Sequence, residues 1–408
     1  MTVIRSLPSL CRRAAAALRL AVLGCALLAF FAAMAGGARA QGFQTDVPRA
    51  LLVDVGTGTV LFEKDADTPF EPASLVKIMT AEVLFHEIAQ GRLTLDREFF
   101  VSEYAWRTGG APSRSTAMFA AVNSNVPVGD LMRGLLIPSG NDAAIVIAEG
   151  ISGTETAFTR AMNRRADEIG LSASSFVNAS GLPAEGQVTT ARDMARLAAH
   201  VIETYPEFYR VFSEPEFVWS KIRQRNRNPL LALNIGADGF LTGFTDAAGF
   251  GIVGSAVLDG QRLIVVVSGA KTARERDIEA RKLLDWGLRS FEMRQLFAAG
   301  EAIGEASVFG GDKGRVALVS PEPVRALVQR GSDARLSARI VYRGPVMAPV
   351  EKGAPVGHLQ VEHGKLKVLD LPLVTGEAIE RGSLSQRARD AALEWSTGMV
   401  RRAFESLM

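Results

Sequence analysis

Hydrophobic and polar positions change period several times along the chain, and each change marks an element. Residues 50–55 and 60–63 are apolar β runs split by a Gly-Thr-Gly turn, which predicts a β-hairpin. From Ser74 the spacing turns helical, with Leu75, Val76, Ile78, Met79, Ala81, Val83 and Leu84 as the apolar set. Residues 102–116 are polar, carry Gly109-Gly110-Ala111-Pro112, and predict a loop flanking a cleft. Helical spacing resumes over 128–150, interrupted at 137–142, and further helices are predicted over 154–169 and 190–204. Segment 217–233 then leads toward 236–245. Two β runs, 251–258 and 262–268, flank Asp259-Gly260, a good hairpin signal. A helix over 276–292, with Ile278, Leu283, Leu284, Trp286, Leu288 and Phe291 as its apolar set, closes a first domain. Hairpin strands with helices before and after imply an α/β (α+β) fold, an antiparallel sheet sandwiched by helices.

Past Ala302 the character changes. Short β-like runs at 316–319, 336–342, 358–361 and 366–369 alternate with Gly, Pro and Asp, which predicts a small all-β domain. The stretch 385–408 is helical again. Ala388, Ala392, Trp395, Met399 and Ala403 share one side, and Arg387, Arg389, Arg401 and Arg402 surround it. Such a stripe predicts an interfacial amphipathic helix, with packing on the β domain as the alternative.

Composition matters chiefly at the N-terminus. Arg5, Arg12, Arg13 and Arg19 precede an apolar run over about 20–35 and then Ala38-Arg39-Ala40, the pattern of a secretory signal cut before Gln41. Cys25 after Gly24 suggests a lipoprotein site, but the apolar run continues well past it. Residues 1–40 hold five arginines and no acid, so their removal changes the net charge from +2 to −3. The basic balance therefore belongs to the signal, and nucleic-acid binding loses its support. Both cysteines, Cys11 and Cys25, leave with it, which excludes disulfides, thiol catalysis and cysteine-bound zinc. His86, His200, His358 and His363 have no metal-ligand spacing.

Candidate chemistry centres on Ser74 and Lys77. Residues three apart on a helix share a face, so the lysine amine can reach the serine hydroxyl. A serine needs an adjacent base, and a lysine can serve once burial or positive neighbours lower its pKa. The helix start also offers free N–H groups to an oxyanion. With 26 serines and nine lysines, S-x-x-K occurs by chance about half a time. A second match, Ser268 to Lys271, ends a β run and opens no apolar helix.

Two further pieces narrow the reading: Ser139-Gly140-Asn141, and Thr242-Gly243 ending a run. Together the three resemble the low-molecular-mass penicillin-binding proteins. The closer likeness is to the D-alanyl-D-alanine carboxypeptidases, serine peptidases that share the β-lactamase-like fold. Segments 72–80, 138–143, 178–183, 224–230, 238–249 and 269–276 all look like family segments in family order. The likeness covers about 44–292, and more loosely the β domain and terminal helix.

The resemblance implies a role for each matched residue. Ser74 would be the acyl-ester nucleophile and Lys77 its general base. Ser139 would relay a proton to the leaving D-alanine, and Asn141 would hold the substrate amide and help orient Lys77. The oxyanion hole would be the backbone N–H groups of Ser74 and Phe244. Thr242 and Arg276 would bind the terminal carboxylate beside Gly243, with Leu241 standing where the family has the lysine of K-T-G. Leucine removes that charge and adds an apolar group.

The implied activity is a periplasmic D-Ala-D-Ala carboxypeptidase trimming peptidoglycan pentapeptides through an acyl-enzyme at Ser74, without metal or cofactor. Its partners would be peptidoglycan stem peptides, β-lactams as acylating inhibitors, and the inner-membrane surface through the terminal helix, with no nucleic acid. The alternative is a degenerate member that binds muropeptides or β-lactams and turns over poorly. A β-lactamase is disfavoured, because the β domain and terminal helix are superfluous to one. The expected map is signal 1–40, peptidase domain 41–293, all-β domain 300–384 and helix 385–408.

Overall fold

The computed structural model describes residues 43–330, 336–363 and 366–392. The secretory segment, its cleavage position, and the terminal stretch with Trp395 and Met399 lie outside those residues. The expected hairpin forms as β1 (Arg49–Asp54) and β2 (Val60–Lys64), and a 3₁₀ turn over Ala73–Leu75 opens α1 (Val76–Ala89). After β3 (Glu98–Phe100) come α2 (Glu103–Gly109), β4 (Asn125–Pro127), α3 (Val128–Leu136) and α4 (Asn141–Ser152). Then come α5 (Glu155–Ile169), α6 (Ala191–Thr204), the short α7 (Pro206–Tyr209), and a hairpin of β5 (Glu216–Trp219) and β6 (Ile222–Arg225). The chain returns to the main sheet with β7 (Ala237–Gly239), β8 (Thr242–Thr245), β9 (Gly249–Leu258) and β10 (Gln261–Ala270), and α8 (Ala273–Ser290) follows.

The main sheet runs β2-β1-β10-β9, with β7 and β8 both paired to β9, antiparallel throughout. Asp259 and Gly260 take the two left-handed positions that the β9–β10 turn requires. Five consecutive residues of β10, Leu263 to Val267, are buried, so both faces of the sheet are covered. Alternation sorts them: Ile264 and Val266 join the core built with α1, α4 and α6. Leu263 faces α8 instead, where a Cβ on Gly287 would lie 2.7 Å from it. Each fully buried aliphatic side chain contributes about 1.5–3 kcal/mol, which makes this two-sided core the platform under the site.

Three expected elements differ in detail. The loop expected at 102–116 is largely helical, as α2 and a 3₁₀ turn over Ala111–Ser113. Ser102 caps α2 by accepting from Ala105 N, and Arg107 pairs with Glu103 one turn back. The helix expected at 276–292 starts earlier, because the Thr272 side chain accepts from Glu275 N and sets the N-cap. It ends at Ser290, and Ile278 on its expected apolar side is 41% exposed. Segment 217–233 resolves into the β5–β6 hairpin and a 3₁₀ turn over Pro229–Leu233.

Phe291 opens β11 (Phe291–Phe297), which pairs with β14 (Val324–Gln329), so 291–297 is a strand rather than a helix end or a joint. The other strands are β12 (Ala302–Phe309), β13 (Arg315–Val319), β15 (Leu336–Tyr342), β16 (Val346–Met347), β17 (Pro355–His363) and β18 (Leu366–Thr375). They form a sheet in the order β15-β17-β18-β13-β12-β16, packed on Ala306, Leu318, Val324, Leu359, Val361 and Leu373. The two β regions touch where Thr59 Oγ1, after the first hairpin turn, donates to the Val368 carbonyl at 2.9 Å. Residues 384–392 are helical and rest on the second sheet: Asp390 accepts from Gly310 N at 3.0 Å, and Gln386 donates to Asp312 O at 3.2 Å.

Candidate active site

Ser74 lies in the 3₁₀ turn, not in the helix proper. Pro72 caps the turn, its carbonyl accepts from Leu75 N at 3.1 Å, and Ala73 holds a left-handed φ of +49°. Strain of that kind persists only where the surroundings over-determine it. Here segment 178–183 does so. Gly181 has φ +83°, and a Cβ on it would collide with the Ala73 carbonyl and stand 2.9 Å from Ser74 N. The neighbouring Ser180 carbonyl accepts a 2.5 Å hydrogen bond from Lys77 Nζ.

Lys77 is fully buried, and its Nζ lies 2.9 Å from Ser74 Oγ. Burial, then the charge of Arg227, push its amine down to about 7, against the opposing pull of Asp142. A half-neutral amine next to a hydroxyl is a usable general base at neutral pH. The orientation of Lys77 comes from Ser74 and the Ser180 main chain; no hydrogen bond joins it to Asn141 among the described residues.

The second cluster sits between α3 and α4. Ser139 is 3% exposed with φ +63°, and neither its Oγ nor Asn141 Oδ1 has a hydrogen-bond partner among the described residues. Buried polar atoms are seldom left so, and such orphans mark functional positions. Asn141 Nδ2 donates to Ser115 Oγ at 2.9 Å and its N–H to Thr116 O at 2.8 Å, tying this turn to segment 115–120. Asp142, fully buried, completes the tie by accepting from Met118 N (2.8 Å), Ala120 N (3.1 Å) and Ala143 N (2.9 Å). Burial raises its pKa above the usual carboxylate range, against the pull of those bonds.

Strand β8 forms the third wall. A Cβ on Gly243 would lie 3.0 Å from Pro72 O and 3.2 Å from Ala73 Cβ, so only glycine lets the strand pass this close to the nucleophile turn. Phe244 stacks on Phe250 with ring centroids 4.2 Å apart. Arg276, in the first turn of α8 and 9% exposed, places Nε and Nη2 at 2.8 and 2.6 Å from Asp277 Oδ1.

These walls enclose a cavity of about 440 Å³. Of the residues expected from sequence, Ser74, Ser139, Thr242, Gly243, Phe244 and Arg276 line it. Lys77 touches Ser74 from within the core, and Asn141 stands behind Ser115. Leu241 does not line it: 1% exposed, it packs with Phe240, Val253 and Ile264 in the main core. Its expected place on the substrate face is corrected on that ground, since an apolar side chain gains more from the core than from a polar cavity. Sequence reasoning missed Thr116, Arg227, Phe250 and Ala273, which also line the cavity. For Arg227 a signal existed in its position between two asparagines, Asn226 and Asn228.

Comparison with known proteins gives the family of the chain. Residues 37–272 match the family model described as D-alanyl-D-alanine carboxypeptidase, and residues 291–381 match the penicillin-binding protein 5 C-terminal domain. The chain is 38% identical to D-alanyl-D-alanine carboxypeptidase DacC of Escherichia coli over 372 residues, covering 90% of this chain and 93% of that one. Its fold is similar to penicillin-binding protein 5 of Haemophilus influenzae, with TM-score 0.74 and 34% identity over 83% of this chain and 99% of that one. It is also similar to a Listeria monocytogenes penicillin-binding protein solved in its ampicillin-bound form (TM-score 0.52, 31% identity, 60% of this chain and 99% of that one).

Proposed function

The chain belongs to the D-alanyl-D-alanine carboxypeptidase family, and from that premise we propose how its residues carry out the reaction. It is a serine-type D-Ala-D-Ala carboxypeptidase of the low-molecular-mass penicillin-binding class. In our reading the neutral Lys77 amine takes the Ser74 proton as Oγ attacks the carbonyl of the penultimate D-alanine. The N–H groups of Ser74 and Phe244 hold the oxyanion. The C–N bond then breaks, the leaving amine takes a proton through Ser139, and water cleaves the Ser74 ester to release the shortened peptide. Asn141 holds the substrate amide, and Thr242 and Arg276 contribute to the carboxylate site.

The observation that carries this reading is the buried Lys77 amine 2.9 Å from Ser74 Oγ, at a cavity that Ser139, Thr242 and Arg276 share. Nucleophile, base and cavity are intact, which weighs against the non-catalytic alternative raised by Leu241. The C-terminal domain match weighs against a β-lactamase. Release of D-alanine from diacetyl-Lys-D-Ala-D-Ala tests the reading; a protein that releases none, yet hydrolyses a chromogenic cephalosporin rapidly, would overturn it.

Gly181→Ala tests the support of the nucleophile turn. The substitution forces a side chain into Ala73 and an unfavourable φ, so a loss of about 2–4 kcal/mol is expected. Acylation by penicillin should slow by about a hundredfold as Ser74 shifts. Thermal denaturation and stopped-flow acylation read the two; wild-type values in both would show that 178–183 does not position Ser74.

The proposal extends to address and domain map: a signal at 1–40, a periplasmic peptidase domain, a β domain, and a terminal helix at 385–408 on the inner membrane. Peptidoglycan trimming in cell-shape maintenance follows from that address. Among the described residues no helix is long and apolar enough to cross a membrane. An interfacial helix needs only one apolar face. Truncation after residue 384 should move the protein from the membrane to the soluble fraction on sedimentation; equal solubility of both forms would refute the anchor.

A further inference from the structure

The carboxylate of the leaving D-alanine needs a cation, and the cavity offers two arginines in place of the absent lysine. They are not equivalent. Arg276 is nearly buried and already engaged, with Nε and Nη2 both on Asp277 Oδ1. A guanidinium so paired presents a largely neutralised charge to the cavity. Arg227 is exposed, and its side chain has no hydrogen bond or ion pair with any described residue.

The segment that carries Arg227 is built to hold it there. Asn226 Nδ2 donates to Phe212 O at 3.0 Å and Glu214 O at 2.9 Å, while its Oδ1 accepts from Asn228 N at 2.9 Å. Asn228 Oδ1 accepts from Leu230 N at 3.0 Å. Between these brackets the Arg227 N–H donates to Ile137 O at 3.2 Å, two residues before Ser139. Both asparagines spend their side chains on main-chain groups, and only the arginine between them lines the cavity beside Ser74 and Ser139.

We propose that Arg227 is the principal cation receiving the substrate's terminal carboxylate in this chain, in place of the lysine that Leu241 displaces. This rests on the carboxypeptidase reading above and changes one part of it, since Arg276 becomes the lesser partner. Arg227 shares the cavity lining with Ser74 and Ser139, and its charge also helps to hold the Lys77 amine down.

A pair of thioester substrates tests this: diacetyl-Lys-D-alanyl-thioglycolate with its free carboxylate, and the same compound as the methyl ester. For the carboxylate substrate Arg227→Ala should lower kcat/KM by about ten- to a hundredfold, the worth of a charge-assisted hydrogen bond. For the ester the change should stay within about threefold, because no charged contact is lost. Arg227→Lys should recover most of the loss, and Arg276→Ala should cost less than Arg227→Ala on the carboxylate substrate. An equal loss on both substrates would make Arg227 structural and overturn the proposal, as would an unchanged rate on the carboxylate substrate. A wild-type protein that hydrolyses neither thioester and takes no penicillin at Ser74 would instead sink the carboxypeptidase reading, and the proposal with it.

Discussion

Ser74→Ala is expected to abolish fluorescent-penicillin labelling and to lower D-alanine release by about four orders of magnitude or more, as loss of a nucleophile does elsewhere. Ser268→Ala is expected to leave both untouched. Each serine precedes a lysine by three positions, but their surroundings differ. Ser74 faces the cavity and has the Lys77 amine at 2.9 Å. Ser268 is buried within β10, paired across the sheet with Arg49, and Lys271 lies beyond the strand end in the open. Labelling that survives in Ser74→Ala would move the nucleophile elsewhere and undo the site.

Lys77→Met should cost about three or more orders of magnitude in kcat/KM, since the hydroxyl loses the base beside it. In the unaltered protein the amine works when unprotonated. With its pKa held down to about 7, kcat/KM should fall roughly tenfold per pH unit below that value and level off above it. Stability also rises with pH, but in the window above that of activity. The unfolded chain keeps the amine charged up to the ordinary lysine value of 10.5, whereas the folded chain gives up its proton near 7. Between those values the unfolded state binds more protons, so stability rises with pH across that window. Below it the buried charge costs the fold about 4–5 kcal/mol at 1.36 kcal/mol per pKa unit. Lys77→Met removes that cost, and its melting temperature at pH 7 should rise by several degrees although the lost bond to Ser180 offsets part of the gain. An inactive variant that melts lower than wild type would mean that the amine is not held neutral by burial.

Much of this was readable from the chain alone. Ser74 and Lys77 are joined by local geometry, since three residues of a helical turn bring them together whatever else the chain does. The β9–β10 hairpin is likewise local, announced by Asp259-Gly260 between two β-branched runs. Thr272 and Glu275 carried a capping signal that places the start of α8, and the apolar count that began it at 276 overlooked them. What escaped was what depends on distant segments. Whether Leu241 faces the cavity or the core is decided by Val253 and Ile264 from other strands. The partner of Arg276 is the adjacent Asp277, a local pairing, whereas the freedom of Arg227 depends on acids that the folded chain keeps away from it. The shift of Lys77 depends on how deeply α1 is buried, a property of the whole core.

The hydrogen bond from Lys77 to Ser180 has an evolutionary consequence. The anchor of the base is a main-chain carbonyl, and every amino acid supplies one. A point mutation at 180 therefore cannot delete the acceptor, and the bond to the base survives any residue that fits the buried site, at the cost only of the long Oγ contacts to Asn178 and Leu182. The adjacent glycine has no such latitude, because its lack of a side chain is what lets the loop approach Ala73. The lineage of this site is thus recorded at Gly181, where an atom must be missing, more faithfully than at Ser180, which makes the bond.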